Sequence, residues 1–501
     1  MNHMSDIRGS MVEPFRSKTG IVLPLVVIFL VINGLVLLNA CLHDPGIGYD
    51  AHRHHQYIQA LSKFRPVTPG DSDEFFSPPL PYIVPAVLLA IPGIDLFWAL
   101  KLGQLFNVVL SVGLTFYLLK TCRLISEQPV LRLGTLVSLG ILPVYYKTFA
   151  FVRGEPYVAF FAVVILYYMG AFLLKKHFTL VDASILGTAM GLCALSRQWG
   201  ILLFPAVFLS MGLQWLRSPE QRHTILRTFL ICLVLIALLS GWFYLMLNLK
   251  YGSMTAFNNE PETSFSFKNQ PLEFYTGFSR KLLFTSPIRP NFPNQFFPIF
   301  YSELWGDYWG YFSVYGLDIN TQTFLDGKKI AELYSNDTAP GQVKSNYRTI
   351  GAYLGRVNLI GLFPSTLAIA ALMFALFRIL KRNYHTAFIT CRKEILTFVL
   401  LAIATTIGGY FWFLIMYPNL EKGTTIKATY VLHIFPYIAL LIGDLIEHIK
   451  RMQHVLSRLI LILFCLISVH NVRVMVTNYS LHQGTSHKLE YPIFMTKTFH
   501  D

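Results

Sequence analysis

Long apolar runs, broken at short intervals by clusters of Lys and Arg, set the rhythm of this chain. A hydrocarbon core about 30 Å thick takes roughly 17–25 apolar residues in a helix. Runs of that kind lie at 21–40, 96–119, 130–147, 155–174, 180–196, 198–216, 226–248, 354–377, 395–416, 428–447 and 457–475. They predict an all-α polytopic membrane protein with about eleven transmembrane helices. One further apolar piece, 78–92, is short and interrupted by Pro78, Pro79, Pro81, Pro85 and Pro92. A helix interior tolerates proline badly, so this piece is expected to lie in the interface or to re-enter rather than cross.

Charge placement supports that count. With 78–92 not crossing, Lys120/Arg123/Arg132, Lys175/Lys176, Arg217/Arg222/Arg227, Arg378/Lys381/Arg382/Arg392/Lys393 and Lys450/Arg451/Arg458 all share one side with Arg8, Arg16 and Lys18. Basic loops stay cytoplasmic, which puts the N-terminus inside and the C-terminus outside. The same rule explains the net charge of +14 without nucleic acid, since no soluble segment carries a basic patch with interleaved aromatics. A charged fraction of 14% against about 25% in soluble domains, with 54% hydrophobic residues, leaves the membrane class alone standing. The first apolar run lacks a small-residue cleavage site and is read as a retained helix. Cys41, Cys122, Cys193, Cys232, Cys391 and Cys465 lie in or beside apolar runs, with no disulfide framework or CxxC site. The organisation that follows is an N-terminal membrane module, 1–249, with a first outer loop at 41–95 carrying interfacial helices. A small outer cap at 250–353, C-terminal helices at 354–475 and an outer tail at 476–501 complete it.

The outer helix ends hold the chemistry. Gly48-Tyr49-Asp50-Ala51-His52-Arg53-His54-His55-Gln56-Tyr57-Ile58 crowds acid, imidazole and phenol just where the chain leaves the membrane. Asp50 heads an expected interfacial helix, with His54 one turn on and Tyr57 beyond it. It is either a general base at the membrane surface or an ordinary N-cap. Arg153-Gly154-Glu155-Pro156 and Ser196-Arg197-Gln198-Trp199 open helices on the same side, and Lys427-Ala428-Thr429-Tyr430 precedes a late one. Arg197 and Arg153 read as phosphate or substrate contacts or as snorkelling interfacial arginines, and Glu155 as a ligand for hydroxyls or a helix-start carboxylate. In the cap, 301–311 sets Glu303 and Asp307 among tyrosines and tryptophans, which suits either sugar binding or an interfacial aromatic belt. The rings of His43, His52, His54 and His55 spread around a helix, so no metal cage is expected from them. Asn336-Asp337-Thr338 and Asn478-Tyr479-Ser480 are glycosylation sequons on the outer side.

Tyr49-Asp50-Ala51 with His54 and Tyr57-Ile58, followed by Ser77-Pro78-Pro79-Leu80-Pro81-Tyr82, resembles the first outer loop of the C-type glycosyltransferase superfamily. The protein O-mannosyltransferase and aminoarabinose transferase branches are the nearest in pattern. The resemblance covers most of 20–220 and part of 395–450. It departs at Ala51, where many relatives carry a second carboxylate. It implies an integral membrane glycosyltransferase that moves a sugar, hexosyl or pentosyl, from a polyprenyl-phosphate carrier to a lipid, glycan or protein acceptor on the outer face, with inversion. Asp50 and Glu155 would be catalytic, Arg197 and Lys427 would bind the donor phosphate, and His54, Tyr57, Arg153, Glu303 and Asp307 would contact substrate. No cofactor is implied, although a divalent ion between Asp50 and Glu155 stays open. A bacterial inner membrane fits. The alternatives are a polytopic transporter or lipid flippase, for which ionisable residues would line a path through the bilayer centre, and an inactive relative.

Overall fold

The computed structural model describes residues 22–174, 178–255, 257, 261–318, 324–326, 347–381 and 387–479, without the side chains of 317–318, 324–326, 347–349 and 387–392. The expectations on Arg8, Arg16, Lys18, Lys175, Lys176, Arg382, Arg392, the Asn336 sequon and Ser480 fall outside the described residues or side chains.

All eleven apolar segments are helical. In chain order the main helices are α1 (Val22–Leu42), α2 (Ala51–Leu61), α3 (Leu80–Leu89), α4 (Leu96–Ile125), α5 (Pro129–Gly140), α6 (Pro143–Phe149), α7 (Glu155–Leu173) and α8 (Leu180–Ser196). They continue with α9 (Phe204–Arg217), entered through a 3₁₀ stretch Gln198–Leu203, then α10 (Arg222–Ile236) and α11 (Trp242–Tyr251), which a π turn joins into one rod. The cap helix α12 (Phe296–Trp305) leads to α13 (Gly351–Leu380), α14 (Ala387–Met416), α15 (Phe435–Met452) and α16 (His454–Met475). Among the described residues nine helices are long and apolar enough to span a bilayer, ten with the bent pair α5–α6, and the shorter apolar α8 completes the set. The protein is therefore a multi-pass helical membrane protein.

Two departures from the sequence pattern matter. The run 130–147, expected as one span, is broken by 67° between α5 and α6. Its cause is Pro143: proline drives the preceding residue out of the helical region, and Leu142 is extended at φ −86°, ψ 108°. The break turns α6 so that Lys147 faces the cap and the chain enters the turn at 150–154. In the cap, an antiparallel three-stranded sheet (Tyr315–Asp318, Phe324–Asp326, Tyr347–Thr349, with the first strand central) stands where only short helices were expected. Of the piece 78–92 only ten residues, α3, are helical, too few to span a bilayer, and they pack on α2, α4 and α8.

The central helix is α15, buried on most faces and packed against α5, α13 and α16. Its approach to α5 is close because glycines meet: a Cβ on Gly443 would lie 2.7 Å from the Leu131 carbonyl oxygen and against the Thr135 side chain. The end of the bundle opposite the cap carries the basic residues of the charge analysis: Arg378 pairs with Asp444, and Glu447 takes bonds from Arg451 (2.5 Å) and Ser126 (3.0 Å).

Gly443→Ala should force α5 and α15 apart and cost about 1–3 kcal/mol through overpacking. Thermal unfolding in detergent should show a clear drop in midpoint, while Gly408→Ala, where a Cβ meets nothing within 4 Å, should leave it unchanged.

Candidate active site

At the cap end, five separate stretches of chain bring their polar residues to one cavity of about 150 Å³. Its charged lining is Asp50, Arg53, Glu74, Arg197 and Lys427, and its apolar walls include Trp199, Phe257, Phe413 and Tyr430. Of the residues singled out in the sequence, Asp50, Arg197 and Lys427 reach the cavity lining.

Asp50 stands at the N-terminus of α2 but does not cap it, since its side chain makes no cap hydrogen bond. Its backbone is left-handed, φ 53°, ψ 25°, a conformation that costs a residue with a Cβ on the order of 1 kcal/mol. The carboxylate instead reaches Lys427 Nζ at 3.1 Å and remains 36% exposed toward the cavity, while the lysine side chain is 10% exposed. The Lys427 ammonium beside it holds the Asp50 carboxyl well below the usual carboxylate range, against a weaker upward push from burial. Lys427 itself is raised by Tyr430, Asp50 and its hydrogen bond, which together outweigh its burial. Its backbone is pinned: Lys427 N–H donates to the Tyr410 hydroxyl at 2.9 Å, and Trp309 of the cap donates its indole N–H to the Ile426 carbonyl at 3.0 Å.

Behind the cavity lies a buried ionic lattice. Arg153 grips Glu155 with two parallel bonds, Nε to Oε2 at 2.6 Å and Nη2 to Oε1 at 2.9 Å. Arg197 faces Glu155 at 3.5 Å from the other side and Glu74 at 3.0 Å, and it also donates to the Ser77 hydroxyl. All three charges Arg153, Glu155 and Glu74 are buried, and Arg153 and Glu155 do not touch the cavity. Their geometry is that of a scaffold that aims Arg197 and Glu74, and the bidentate fork is what arginine does best. The Arg153 guanidinium also stacks on the Tyr49 ring at 5.3 Å, with Lys427 Nζ 5.1 Å from the same ring.

His54 and Tyr57 sit on the buried face of α2 and act on the loop rather than on the cavity. Tyr57 donates its hydroxyl to the Ser77 carbonyl at 2.9 Å, and His54 Nδ1 meets the Tyr82 hydroxyl at 2.9 Å with Glu74 at 4.0 Å. Together they fasten 74–82 against α2. Glu303 and Asp307 are wholly buried, both paired with Lys147 of α6, and Asp307 also accepts backbone N–H bonds from Phe312 and Ser313 at 2.7 Å each. They join the cap to the broken helix and do not line the cavity.

Two charged lining residues were not singled out in the sequence. Glu74 is a second carboxylate in the lining, and Arg53 stands between Asp50 (3.9 Å) and Asp73 (3.2 Å). The acidic run Asp71–Glu74 directly before Ser77-Pro78-Pro79 was the signal available. Among the described residues no three His, Cys, Asp or Glu side chains converge as metal ligands: His52 meets Gln56 and His55 the Pro45 carbonyl, each at 3.0 Å.

An apolar groove of about 470 Å³ adjoins the site, walled by α12, α13, α14 and α15. Tyr430 lines the cavity and Val431 the groove, so a single turn of backbone separates the two, and exposed Phe297, Ile369 and Ile407 line the groove where it opens sideways.

The chain is similar to two kinds of membrane protein of known structure. ArnT from Cupriavidus metallidurans, an aminoarabinose transferase, aligns in the apo state at 12% identity over 85% of this chain and 80% of its own, with a TM-score of 0.34. The Archaeoglobus fulgidus oligosaccharyltransferase in its apo form aligns at 13% identity over 92% of this chain, with a TM-score of 0.47, and this chain spans 56% of its length. The ArnT structure bound to undecaprenyl phosphate aligns at 13% identity over 87% of this chain and 81% of its own, with a TM-score of 0.31. No family model and no curated protein sequence matches the chain. At these identities and scores residue roles rest on the cavity itself.

His54 yields a pH prediction. Burial, only partly offset by Glu74, lowers its pKa from 6.5 to about 4. The folded chain therefore resists a proton that the unfolded chain accepts. The stability this contributes is full above pH 6.5 and is lost as pH falls through 4, roughly 3 kcal/mol at the limit. The thermal midpoint should fall across that window, and less steeply in His54→Gln. An equal slope in both proteins would contradict the assignment.

Proposed function

We propose that the protein is an integral membrane glycosyltransferase that takes a sugar from a polyprenyl-phosphate carrier and transfers it to an acceptor hydroxyl or amine at the cap end of the bundle. The observation that carries this reading is the cavity: a strained carboxylate, about one-third exposed, faces cations at the end of an apolar bundle, next to a large apolar groove. The isoprenoid tail would lie in the groove, and the phosphate would sit on Lys427 with Arg197 behind it. Asp50 would take the proton of the acceptor group as its oxygen or nitrogen attacks the anomeric carbon. The bond from that carbon to the phosphate oxygen breaks, polyprenyl phosphate leaves, and the single displacement inverts the centre. The positive charge for the leaving phosphate comes from lysine and arginine, so the scheme invokes no divalent ion.

The charge bias makes the cap end the outer face, with the N-terminus cytoplasmic, as in a bacterial inner membrane. Glu155 and Arg153 enter the proposal as positioning residues for Arg197, and His54 and Tyr57 as positioning residues for the loop that carries Glu74. Glu303 and Asp307 hold the cap. A transporter is the weaker reading. Among the described residues the buried charges gather at the two ends of the bundle. Lys101, Lys147, Arg153, Glu155, Arg197 and Lys427 stand at the cap end and Arg132, Asp444 and Glu447 at the other, so no charged path crosses the middle.

Asp50→Asn should lower transfer from a polyprenyl-phosphate sugar by about 10²–10⁴-fold without loss of folded protein, since asparagine also accepts a left-handed backbone. Full transfer in that variant would refute the base assignment. Glu155→Gln should raise the KM for the lipid-linked donor more than it lowers kcat, and Glu155→Asp should restore part of the loss. A kcat effect alone would argue that Glu155 acts on the reacting atoms.

A further inference from the structure

The cations at the cavity differ in how far their charge is already answered. Arg197 faces the two carboxylates Glu74 and Glu155 and also donates to Ser77. Arg53 lies between Asp50 and Asp73, at 3.9 and 3.2 Å. Lys427 has one carboxylate within ion-pair distance among the described residues, Asp50 at 3.1 Å, and that carboxylate is about one-third exposed to the cavity. The two aromatic faces on Lys427, Tyr49 at 5.1 Å and Tyr430 at 5.5 Å, hold its ammonium in place without neutralising it. Asp50 has a fixed left-handed backbone at the head of α2, while its carboxylate makes no cap bond that would hold it there. The buried Glu303 carboxylate pairs with Lys147.

An anion that binds Lys427 must therefore compete with Asp50. Resting on the donor reading above, we propose that Lys427 is a shared cation that binds Asp50 in the empty site and is taken over by the donor phosphate, which frees Asp50 to act as the base. The exchange couples the two halves of the reaction. While Lys427 holds it, the carboxylate is a poor base, for the same reason that its proton affinity is depressed. Once a phosphate with its own negative charge occupies the lysine, the carboxylate loses its nearer cation, keeps only the more distant Arg53 at 3.9 Å, and gains a like-charged neighbour. Both changes raise its proton affinity. Donor and acceptor then bind in a preferred order, donor first, and the acceptor is activated only when the leaving group is seated.

The test is equilibrium binding of undecaprenyl phosphate to the full-length protein in lipid nanodiscs, with the uncharged polyprenol as control. Wild type, Asp50→Asn, Asp50→Ser and Lys427→Gln are compared, each first checked for an intact thermal transition. Removal of the competing carboxylate should tighten lipid-phosphate binding by about 2- to 10-fold in both Asp50 variants, the range of a partly exposed ion pair. Lys427→Gln should weaken it by at least about tenfold, and polyprenol binding should stay the same throughout. Equal or weaker binding in the Asp50 variants, with Lys427→Gln still impaired, would overturn the exchange and leave the donor reading intact. Wild-type affinity in Lys427→Gln, or no saturable binding by any form, would defeat the donor reading and this inference with it.

Discussion

The Asp50–Lys427 ion pair joins residues 377 apart in the chain, and most of the cap end serves to place its two halves. Asp50 is presented by a left-handed residue at the head of an interfacial helix, and Lys427 by an extended residue just before the 3₁₀ entry to α15. The pair is only partly desolvated, so it can be broken by a competing anion. A fully buried pair would resist that exchange, because stripping one partner from it costs several kcal/mol. In the proposed exchange, the exposed third of the Asp50 side chain is what gives a competing anion access to the pair.

The lattice behind it obeys the opposite rule. Arg153, Glu155, Arg197 and Glu74 are buried, and desolvation of so many charges consumes much of what their attraction gains. Apolar side chains of equal volume could hold the helices together as well. Charge does something they could not: it leaves Arg197 cationic at a cavity wall and Glu74 ionised beside it, in positions fixed by bidentate geometry. The Lys147–Glu303–Asp307 cluster does the same between cap and bundle, and through Trp309 and Ile426 it also anchors the stretch that delivers Lys427. Stability and site geometry meet in these residues.

Apolar length predicted the helices well because it follows from the thickness of the bilayer and requires no knowledge of neighbours. Leu180–Ser196 is found as expected although it is short, and α3 stays a brief proline-bounded helix. The 67° break at Pro143 escaped because hydropathy is blind to direction, although proline between apolar residues was a visible warning. The cap's strands escaped for a different reason: short strands are made by pairing with distant partners, which no local pattern shows. At the site, Asp50 and Arg197 were legible from their position at outer helix ends, and Lys427 through the family resemblance. Glu74 was not, because contacts distant in sequence fold the loop back on α2: Tyr57 to the Ser77 carbonyl, Ser72 to the Arg53 carbonyl, and Tyr82 under His54. Glu303 and Asp307 looked like sugar ligands because acids among aromatics look alike in a binding site and in a buried joint. Only burial separates the two.

The most direct test of the account is a cryo-electron microscopy structure of the full-length protein with undecaprenyl phosphate bound. The account predicts phosphate oxygens within hydrogen-bond distance of Lys427 Nζ, the isoprenoid tail in the groove along α12–α15, and the Asp50 carboxylate withdrawn from Lys427 toward open space in the cavity. A phosphate bound away from Lys427, or an Asp50–Lys427 contact still at about 3 Å with phosphate in place, would contradict it.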